Sequence, residues 1–275
     1  MNQFVWADLS TFDVKKAKAF YGACLDWQTF GEDGEYQSCF AKRIPIAGLY
    51  KMPQKFQDIG MPSFWMSYIQ VDDVASTVEK AQALGAKVEV SPQVSPLGGN
   101  LALIRDPAGA GFTLYQSDNA LPHQAQQWHG GRVLHELNVS DLSVVEPFYR
   151  ELFGWRFIKV GSSGRYDIRN AKEQQVAQVQ VASNDVKGDK EYWGIYFAVN
   201  SLQEAKQHIE QFGGSIITEL QVDKSAGLLA QDNQGAAFYI KEVSHKLMQS
   251  ENRGSWTAWI IGLALASAIA YWFVN

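Results

Sequence analysis

The histidines limit where this chain could hold a transition metal. There are five: His123, His129, His135, His208 and His245. Residues 1–122 therefore contain no histidine, and since imidazole is the usual nitrogen ligand of zinc and non-haem iron, a histidine-ligated site is excluded there. The two cysteines, Cys24 and Cys39, are too few for a zinc cluster or a disulfide framework. We interpret them as buried structural thiols in a reducing compartment.

Two carboxylates are the best candidates for functional polar groups. Asp8 and Glu136 each lie in a segment that alternates as a β-strand, Asp8 on the strand face of Trp6 and Glu136 on the face of Leu134. His135 would then point to the opposite face. A carboxylate on a buried face is costly unless it is paired or hydrogen-bonded, so both are weak candidates for catalysis and candidates for ligand binding. The alternative is that both are strand-end carboxylates bound to neighbouring backbone or arginine.

The two carboxylates are equivalent because the chain contains an internal repeat with an offset of 128 residues. The matched pairs are Asp13 with Asp141, Phe20-Tyr21 with Phe148-Tyr149, Trp27 with Trp155, Val71 with Val199, and Gly85 with Gly213. Near the end of each half, Asp106 matches Asp232 after a slip of two residues. Repeats of this length indicate duplicated structural units.

The repeat predicts two homologous domains. Their bounds are residues 1–117 and 131–243, and a linker rich in polar and turn residues joins them at 118–130. His123 and His129 fall in this linker, where we expect solvated loop side chains.

Each half in turn contains two segments that read as β-α-β-β-β. In the first, a strand from Phe4 to Leu9 precedes Asp13, whose carboxylate can cap a helix through residues 15–25. In the next, alternating residues 62–71 form a strand, Asp72 and Asp73 cap a helix, and Gly85 ends it. The sequence therefore predicts an α+β fold.

These elements carry a recurrent set of motifs. D-x6-F-Y precedes a tryptophan, a helix-ending glycine precedes a strand, and D-P-x-G-A-x-F-x-L-Y stands at residues 106–115. Together they resemble the vicinal oxygen chelate superfamily, the glyoxalase/bleomycin-resistance/dioxygenase group, over residues 3–117 and 131–243. The resemblance implies two tandem glyoxalase-like domains, each of two βαβββ modules that form a curled mixed sheet. We expect the motif residues themselves, including Gly109 and Gly235 in turns, to be structural.

In enzymes of this superfamily, His, Gln or Glu side chains of the first and last strands hold a divalent metal. The matching positions of this chain are Trp6, Gly48, Met66 and Thr113 in the first half, and Leu134, Gln178, Gly194 and Tyr239 in the second. Only Gln178 is a plausible ligand, and it stands alone. We therefore predict no metal and no other cofactor, with a weakly bound divalent metal as the alternative.

Aromatic side chains are predicted where the metal ligands are missing. Tyr68 shares a strand face with Met66, and Tyr115 shares one with Thr113, so that with Trp6 they favour a pocket for flat or hydrophobic ligands. The alternative is simple core packing. The predicted ligand-binding set is Trp6, Asp8, Met66, Tyr68, Thr113, Tyr115, Glu136, Gln178 and Tyr239.

Three functions are compatible with these residues. The first is a metal-free module that binds a small organic or aromatic molecule. The second is a divergent lyase, isomerase or dioxygenase that uses Gln178 and Glu136 with water around a weakly bound metal. The third is a membrane-tethered scaffold for a protein partner, in which the aromatic residues are core. Enzymatic activity is therefore undecided by the sequence.

The C-terminal segment predicts a membrane anchor. Residues 256–274 carry no charge and would span roughly 28 Å as a helix, with aromatic residues at both ends. A juxtamembrane linker at 244–255 precedes the span, and the positive-inside rule places the globular part in the cytoplasm. Small residues spaced by four favour some self-association through this helix; they are Gly262, Ala266 and Ala270.

The overall charge excludes one class of partner. The formal net charge is −5 and the pI is about 5.6, which repels phosphate backbones and argues against nucleic-acid binding. The N-terminus shows no signal-peptide pattern.

Overall fold

The computed structural model describes residues 2–32, 36–95, 98–118, 126–222 and 225–243, and all structural statements concern these ranges. The predicted membrane span at 256–274, its linker, and His123 and His245 lie outside them. None of the helices in the described ranges is both long enough and apolar enough to cross a membrane.

The described chain forms sixteen strands and six helices. In the first half these are β1 (Gln3–Thr11), α1 (Val14–Leu25), β2 (Gln28–Phe30), β3 (Gln37–Ala41), β4 (Ile44–Lys51), α2 (Gln54–Asp58), β5 (Phe64–Gln70), α3 (Val74–Ala83), β6 (Lys87–Val94), β7 (Asn100–Arg105) and β8 (Gly111–Gln116). In the second half they are β9 (Arg132–Val139), α4 (Leu142–Phe153), β10 (Arg156–Val160), β11 (Arg165–Arg169), β12 (Gln175–Val181), α5 (Asn184–Lys187), β13 (Tyr192–Val199), α6 (Leu202–Gln211), β14 (Ser215–Val222), β15 (Ser225–Gln231) and β16 (Ala237–Glu242).

The strands form two eight-stranded mixed sheets with the same order. One runs β2-β3-β4-β1-β5-β8-β7-β6 and the other β10-β11-β12-β9-β13-β16-β15-β14. In each, the first strand of a module pairs in parallel with the last, as β1 does with β4 and β9 with β12, and the remaining pairs within a module are antiparallel. The α+β prediction and the βαβββ modules are confirmed.

Contacts divide the chain into two compact units that each draw on both halves of the repeat. Unit 1 comprises Met1–Trp6, Met66–His123 and Leu134–Gly194, and unit 2 comprises Ala7–Trp65, Gln124–Val133 and Ile195–Asn275. Each has its own apolar core, around α3 and α4 in unit 1 and around α1 and α6 in unit 2. The domain bounds 1–117 and 131–243 describe the sequence repeat and stay a prediction.

Side-chain caps explain where the longer helices begin. The carboxylate of Asp13 accepts a hydrogen bond from the Lys16 backbone N–H at 3.1 Å. Asp73 and Asp141 cap α3 and α4 in the same way. Such caps satisfy backbone donors that have no partner within the helix, which is why aspartate predicted these helix starts correctly.

The Phe-Tyr and aspartate motifs meet in the core of each unit. In unit 2 the Tyr21 hydroxyl donates to Asp232 at 3.0 Å, and the Trp65 indole donates to the Tyr21 oxygen at 3.0 Å. In unit 1 the Tyr149 hydroxyl donates to Asp106 at 2.9 Å, and its oxygen accepts a hydrogen bond from the Trp193 indole N–H at 2.9 Å. The structural interpretation of these motifs is confirmed.

Each motif aspartate also organises the turn that follows it. One oxygen of Asp106 accepts backbone hydrogen bonds from Ala108, Gly109 and Ala110. Gly109 has φ 105° and Gly235, in the equivalent turn, has φ 89°, a region that favours glycine. Burial raises the pKa of Asp106, and the hydrogen bonds oppose this shift.

The described end of the linker, residues 126–130, is packed more closely than the sequence predicts. The Trp27 indole donates to the Gly130 carbonyl at 2.7 Å, and the Gly130 N–H donates to the Ala198 carbonyl at 2.8 Å. The prediction of a solvated His129 is wrong, because its side chain is only 21% exposed and its Nδ1 accepts the Asn200 N–H at 3.3 Å. Burial lowers the pKa of His129.

Candidate functional site

Strand register establishes that the two carboxylates occupy equivalent positions. Asp8 lies opposite Gly48 in the β1–β4 pair, and Glu136 lies opposite Gln178 in the β9–β12 pair. The sequence match of Gly48 with Gln178 is therefore correct. Since register fixes which side chains are neighbours across a sheet, each carboxylate is adjacent to a position at which the family resemblance places a metal ligand.

In unit 2, Asp8 is held by a tyrosine that the sequence did not indicate. The Tyr36 hydroxyl donates to the Asp8 carboxylate at 2.6 Å, and the two side chains are 0% and 1% exposed. Gly48 lies directly beneath this hydrogen bond. A Cβ atom at Gly48 would stand 1.8 Å from the Tyr36 oxygen and 2.3 Å from the Asp8 oxygen. Only glycine leaves room for the pair.

The Asp8 charge acts on the side chains around it. Burial and then the Asp8 charge raise the pKa of Tyr50, while a hydrogen bond with Ser10 lowers it. Burial and then the Asp8 charge also raise the pKa of Cys39 well above its usual value, and Lys18 opposes this in part. Both cysteines are free and buried, as the sequence predicts. The Asp8 carboxylate therefore disfavours a second negative charge on the Tyr50 and Cys39 side chains.

In unit 1, Glu136 has a different partner. The Gln178 side-chain amide donates to the Glu136 carboxylate, and both side chains are buried. In each half a neutral side chain thus donates to the carboxylate, a phenol to Asp8 and an amide to Glu136. A buried carboxylate needs such donors to offset lost hydration. His135, one residue before Glu136, hydrogen-bonds Ser67 at 2.9 Å and stacks on Phe4.

Two of the predicted aromatic residues of unit 1, Tyr68 and Tyr115, come together. Tyr68 lies opposite Thr113 in the β5–β8 register, and the rings of Tyr68 and Tyr115 meet edge-on with centroids 6.3 Å apart. The Tyr115 hydroxyl donates to the Gly98 carbonyl at 3.2 Å. Trp6 is buried, and Met66 is half-buried.

In unit 2, Tyr239 has an aromatic partner that sequence reasoning missed. The rings of Tyr196 and Tyr239 stack with centroids 4.4 Å apart and an angle of 20° between the planes. Tyr196 repeats Tyr68 at the offset of 128 residues, a signal that was available in the sequence. Tyr36 had no such signal, because the register of β3 and β11 matches it with Arg165.

A model of the Glyoxalase family, described as the glyoxalase/bleomycin resistance protein/dioxygenase superfamily, matches residues 3–114 and 131–240. The chain belongs to this superfamily. Among curated relatives, the candidate glyoxylase CFP32 of Mycobacterium tuberculosis is 27% identical over 244 residues, covering 86% of this chain and 92% of that protein. The anthracycline biosynthesis protein DauV of Streptomyces sp. (strain C5) is 25% identical over 257 residues, with the same coverages.

Solved structures share the fold at low sequence identity. The Mn(II)-bound glyoxalase of Novosphingobium aromaticivorans is 12% identical with a TM-score of 0.60, covering 90% of this chain and 86% of that one. The 2,3-dioxygenase LapB of Pseudomonas sp. KL28 is 12% identical with a TM-score of 0.59, covering 88% and 92%. These likenesses, with the two matched regions, confirm the tandem glyoxalase-like fold.

The residues at the family's metal positions do not fit a divalent cation. Gly48 offers no side chain, and the Tyr36 hydroxyl occupies the space that one would fill. The Gln178 side-chain amide donates to Glu136, and Gly194 has no side chain. The remaining positions carry indole, thioether, hydroxyl or hydrocarbon groups rather than carboxylate or imidazole. Within the described ranges, no three His, Cys, Asp or Glu side chains are grouped to hold a metal.

Proposed function

We propose that this chain binds a small aromatic molecule without a metal centre at the family positions. The observation that carries the proposal is the Tyr36–Asp8 pair over Gly48, which puts a hydrogen-bonding group where a chelating side chain would stand. Under this proposal, ligand binding needs no metal and no other cofactor. Recognition would then depend on hydrogen bonds and aromatic contact rather than on coordination.

The Tyr36 hydroxyl restricts the polar group of the ligand. A phenol has one proton, and Tyr36 gives it to Asp8, so any further partner of that oxygen must be a donor. An ionised carboxylate likewise only accepts. The charge of the Asp8 carboxylate disfavours an anion beside it. A neutral or cationic donor, such as a phenol or an amine, is the polar group that fits.

The aromatic residues favour a flat ligand body. Tyr68 with Tyr115, and Tyr196 with Tyr239, are rings on strands of the two sheets, and rings of this kind stack on planar ligands. DauV, 25% identical to this chain, is named as an anthracycline biosynthesis protein. A planar, hydroxylated aromatic compound has both the hydrogen-bond donor and the flat ring system that these residues favour.

We propose that residues 256–274 hold the chain at a membrane and that binding takes place at its cytoplasmic surface.

Two naphthalenes test this proposal on the full-length chain. 2-Naphthol and 2-methoxynaphthalene share one ring system, but only the naphthol donates a hydrogen bond. We expect 2-naphthol to bind, as followed by its own fluorescence, with a preference of about tenfold over the methyl ether, the worth of one good hydrogen bond. The preference should fall to about twofold in Tyr36→Phe and persist in Tyr166→Phe, a matched loss of one hydroxyl elsewhere.

Metal content and chelation separate the alternatives. We expect less than about a tenth of an equivalent of divalent metal by elemental mass spectrometry, and naphthol binding that withstands chelator. About one equivalent of metal, lost in Gln178→Ala, would refute the proposal and favour a metal-dependent lyase, isomerase or dioxygenase. The absence of binding of either naphthalene up to about 1 mM would also refute it.

Burial of the predicted ligand-binding residues favours one second candidate, a protein-interaction scaffold. Trp6, Tyr115 and Gln178 are at most 2% exposed, as side chains that only fill the interior would be. In that case Tyr68→Leu and Tyr239→Leu should lower the free energy of unfolding by about 2 to 4 kcal/mol while neither naphthalene binds.

A further inference from the structure

Four side chains of unit 1 lie in one row across the strands β9 to β12. The register places Glu136 of β9 opposite Gln178 of β12, and Gln178 opposite Asp167 of β11. Asp167 in turn lies opposite Ile158 of β10, the strand at the edge of this sheet. Directly paired residues have their side chains on the same sheet face, so the four are neighbours. Glu136, Gln178, Asp167 and Ile158 together are called the Glu136 row below.

The Glu136 row lies on the sheet face that points away from the apolar core of unit 1. Alternate residues of the same strands are fully buried in that core; they are Leu137, Ile168 and Val179. Since side chains alternate along a strand, the row faces the other way. Exposure rises along it, from 5% at Glu136 and 1% at Gln178 to 40% at Ile158. The row therefore has a buried polar end and an open apolar end.

The buried end presents hydrogen-bond acceptors. The Gln178 Nε2 donates to the Glu136 carboxylate, which leaves the Oε1 of the same amide as an acceptor. This Oε1 is buried, and no described residue donates a hydrogen bond to it. A buried acceptor without a donor lowers stability, which is why such atoms are rare in folded proteins. The Gln178 Oε1 therefore indicates a ligand that brings its own donor.

Charge favours a cationic donor at this end of the row. Two carboxylates, Glu136 and Asp167, flank Gln178 on the neighbouring strands. A hydrogen bond from a cation to a carboxylate is about twice as strong as one between neutral groups. A primary ammonium group carries three N–H donors, so it can bind the Glu136 carboxylate and the Gln178 Oε1 together.

A divalent metal ion fits the row less well than an ammonium group. Gln178 stands at a position where the family resemblance places a metal ligand, but Mg²⁺ and Ca²⁺ take about six or more oxygen ligands. The buried end offers only the Glu136 carboxylate and one amide oxygen. Both oxygens of Asp167 already have contacts, one with the Gln175 amide at 3.2 Å and the other with the Arg169 guanidinium at 3.5 Å.

We propose that the Glu136 row binds the primary ammonium group of an organic amine, with the hydrocarbon or aromatic body of the amine on Ile158. Val160, two residues along β10 and therefore on the same face, is 36% exposed and extends the apolar end. An amine with an apolar body has both parts that the row selects. The site lies in unit 1 and does not depend on the Tyr36–Asp8 pair of unit 2.

Three fluorinated benzyl compounds test this site on the full-length chain by ¹⁹F NMR. 4-Fluorobenzylamine carries charge and N–H donors, 4-fluorobenzyl alcohol donates without charge, and N,N,N-trimethyl-4-fluorobenzylammonium carries charge without a donor. We expect the amine to bind at least about tenfold more tightly than either of the others, because only the amine satisfies both acceptors. Mn²⁺ at about the protein concentration should not displace it.

Three variants locate the binding. Gln178→Met removes the amide at nearly constant volume and should weaken amine binding about tenfold. Gln180→Met makes the same change two residues along β12, where the amide donates to backbone carbonyls, and should leave amine binding intact. Glu136→Gln keeps the shape of the side chain, and the preference for amine over alcohol should fall to about twofold. Thermal unfolding followed by circular dichroism checks that each variant is folded.

Four results would overturn the proposal. They are the absence of amine binding up to about 5 mM, equal affinity for amine and alcohol, a preference that survives Glu136→Gln, and displacement of the amine by Mn²⁺. The probes also separate the two proposals of ligand binding. Loss of 2-naphthol binding with amine binding retained would refute the proposed function alone, and the reverse result would refute the ammonium site alone.

Discussion

Replacing Gly48 by alanine is expected to destabilise the protein strongly. The new Cβ would stand 1.8 Å from the Tyr36 oxygen and 2.3 Å from the Asp8 oxygen, far inside van der Waals contact. The hydrogen bond between these side chains must then break, which costs about 1.5 to 3 kcal/mol for a charged buried acceptor. Overpacking at the same point adds about 1 to 3 kcal/mol. The expected loss in free energy of unfolding is therefore about 2.5 to 6 kcal/mol.

Urea unfolding of the full-length chain measures this loss, and a second glycine supplies the control. Gly22 lies inside α1, where a Cβ would meet its nearest neighbour, the Trp27 carbonyl oxygen, at 3.6 Å. Gly22→Ala should stabilise the chain by up to about 1 kcal/mol, because alanine favours helices. A Gly48→Ala variant within about 1 kcal/mol of wild type would show that Tyr36 does not pack over Gly48 onto Asp8.

Three further predictions concern unit 1 and the hairpin turn of Lys42 and Arg43, whose φ angles are 49° and 65°. Tyr149→Phe removes the hydroxyl that donates to buried Asp106 and should cost about 1 to 3 kcal/mol in urea unfolding, which a neutral effect would contradict. Because burial raises the pKa of Asp106 in the folded state above 3.8, the folded state holds its proton more tightly. The stabilisation from this proton is complete below pH 3.8 and is lost as pH rises through the folded pKa of Asp106. The free energy of unfolding of wild type, relative to that of Asp106→Asn, should therefore fall over that pH window. The same trend in both proteins would exclude Asp106 as its source. Lys42→Asn with Arg43→Gly should raise the free energy of unfolding by about 1 to 2 kcal/mol, and a loss of stability would show that the turn is not strained.

Much of the architecture followed from local signals in the sequence. Asp13 and Asp73 predicted helix starts, because an aspartate before a helix satisfies backbone donors whatever lies further away. Gly109 and Gly235 predicted turns, because positive φ is a local requirement. The internal repeat then extended these assignments from one module to the others.

The candidate site was predictable only in part. Residue types at Gly48 and Met66 were enough to question a metal centre, because coordination depends on which donor atoms a side chain carries. Strand alternation predicted the strand faces on which Asp8 and Glu136 lie. Only the register of the folded sheets showed that Gly48 and Gln178 lie opposite them. Tyr36 could not be assigned, because it precedes β3 and reaches Asp8 only when that strand is folded beside β4.

The sequence by itself determined the four modules, their helix caps and turns, and the residue types at the family's metal positions. Only the tertiary structure decided that each compact unit takes modules from both halves, and that Tyr21 meets Asp232 across 211 residues of chain. Periodicity and capping act over a few residues and can be read from the sequence, whereas the pairing of modules depends on which apolar faces are complementary. That complementarity is a property of packed side chains and exists only in the folded chain.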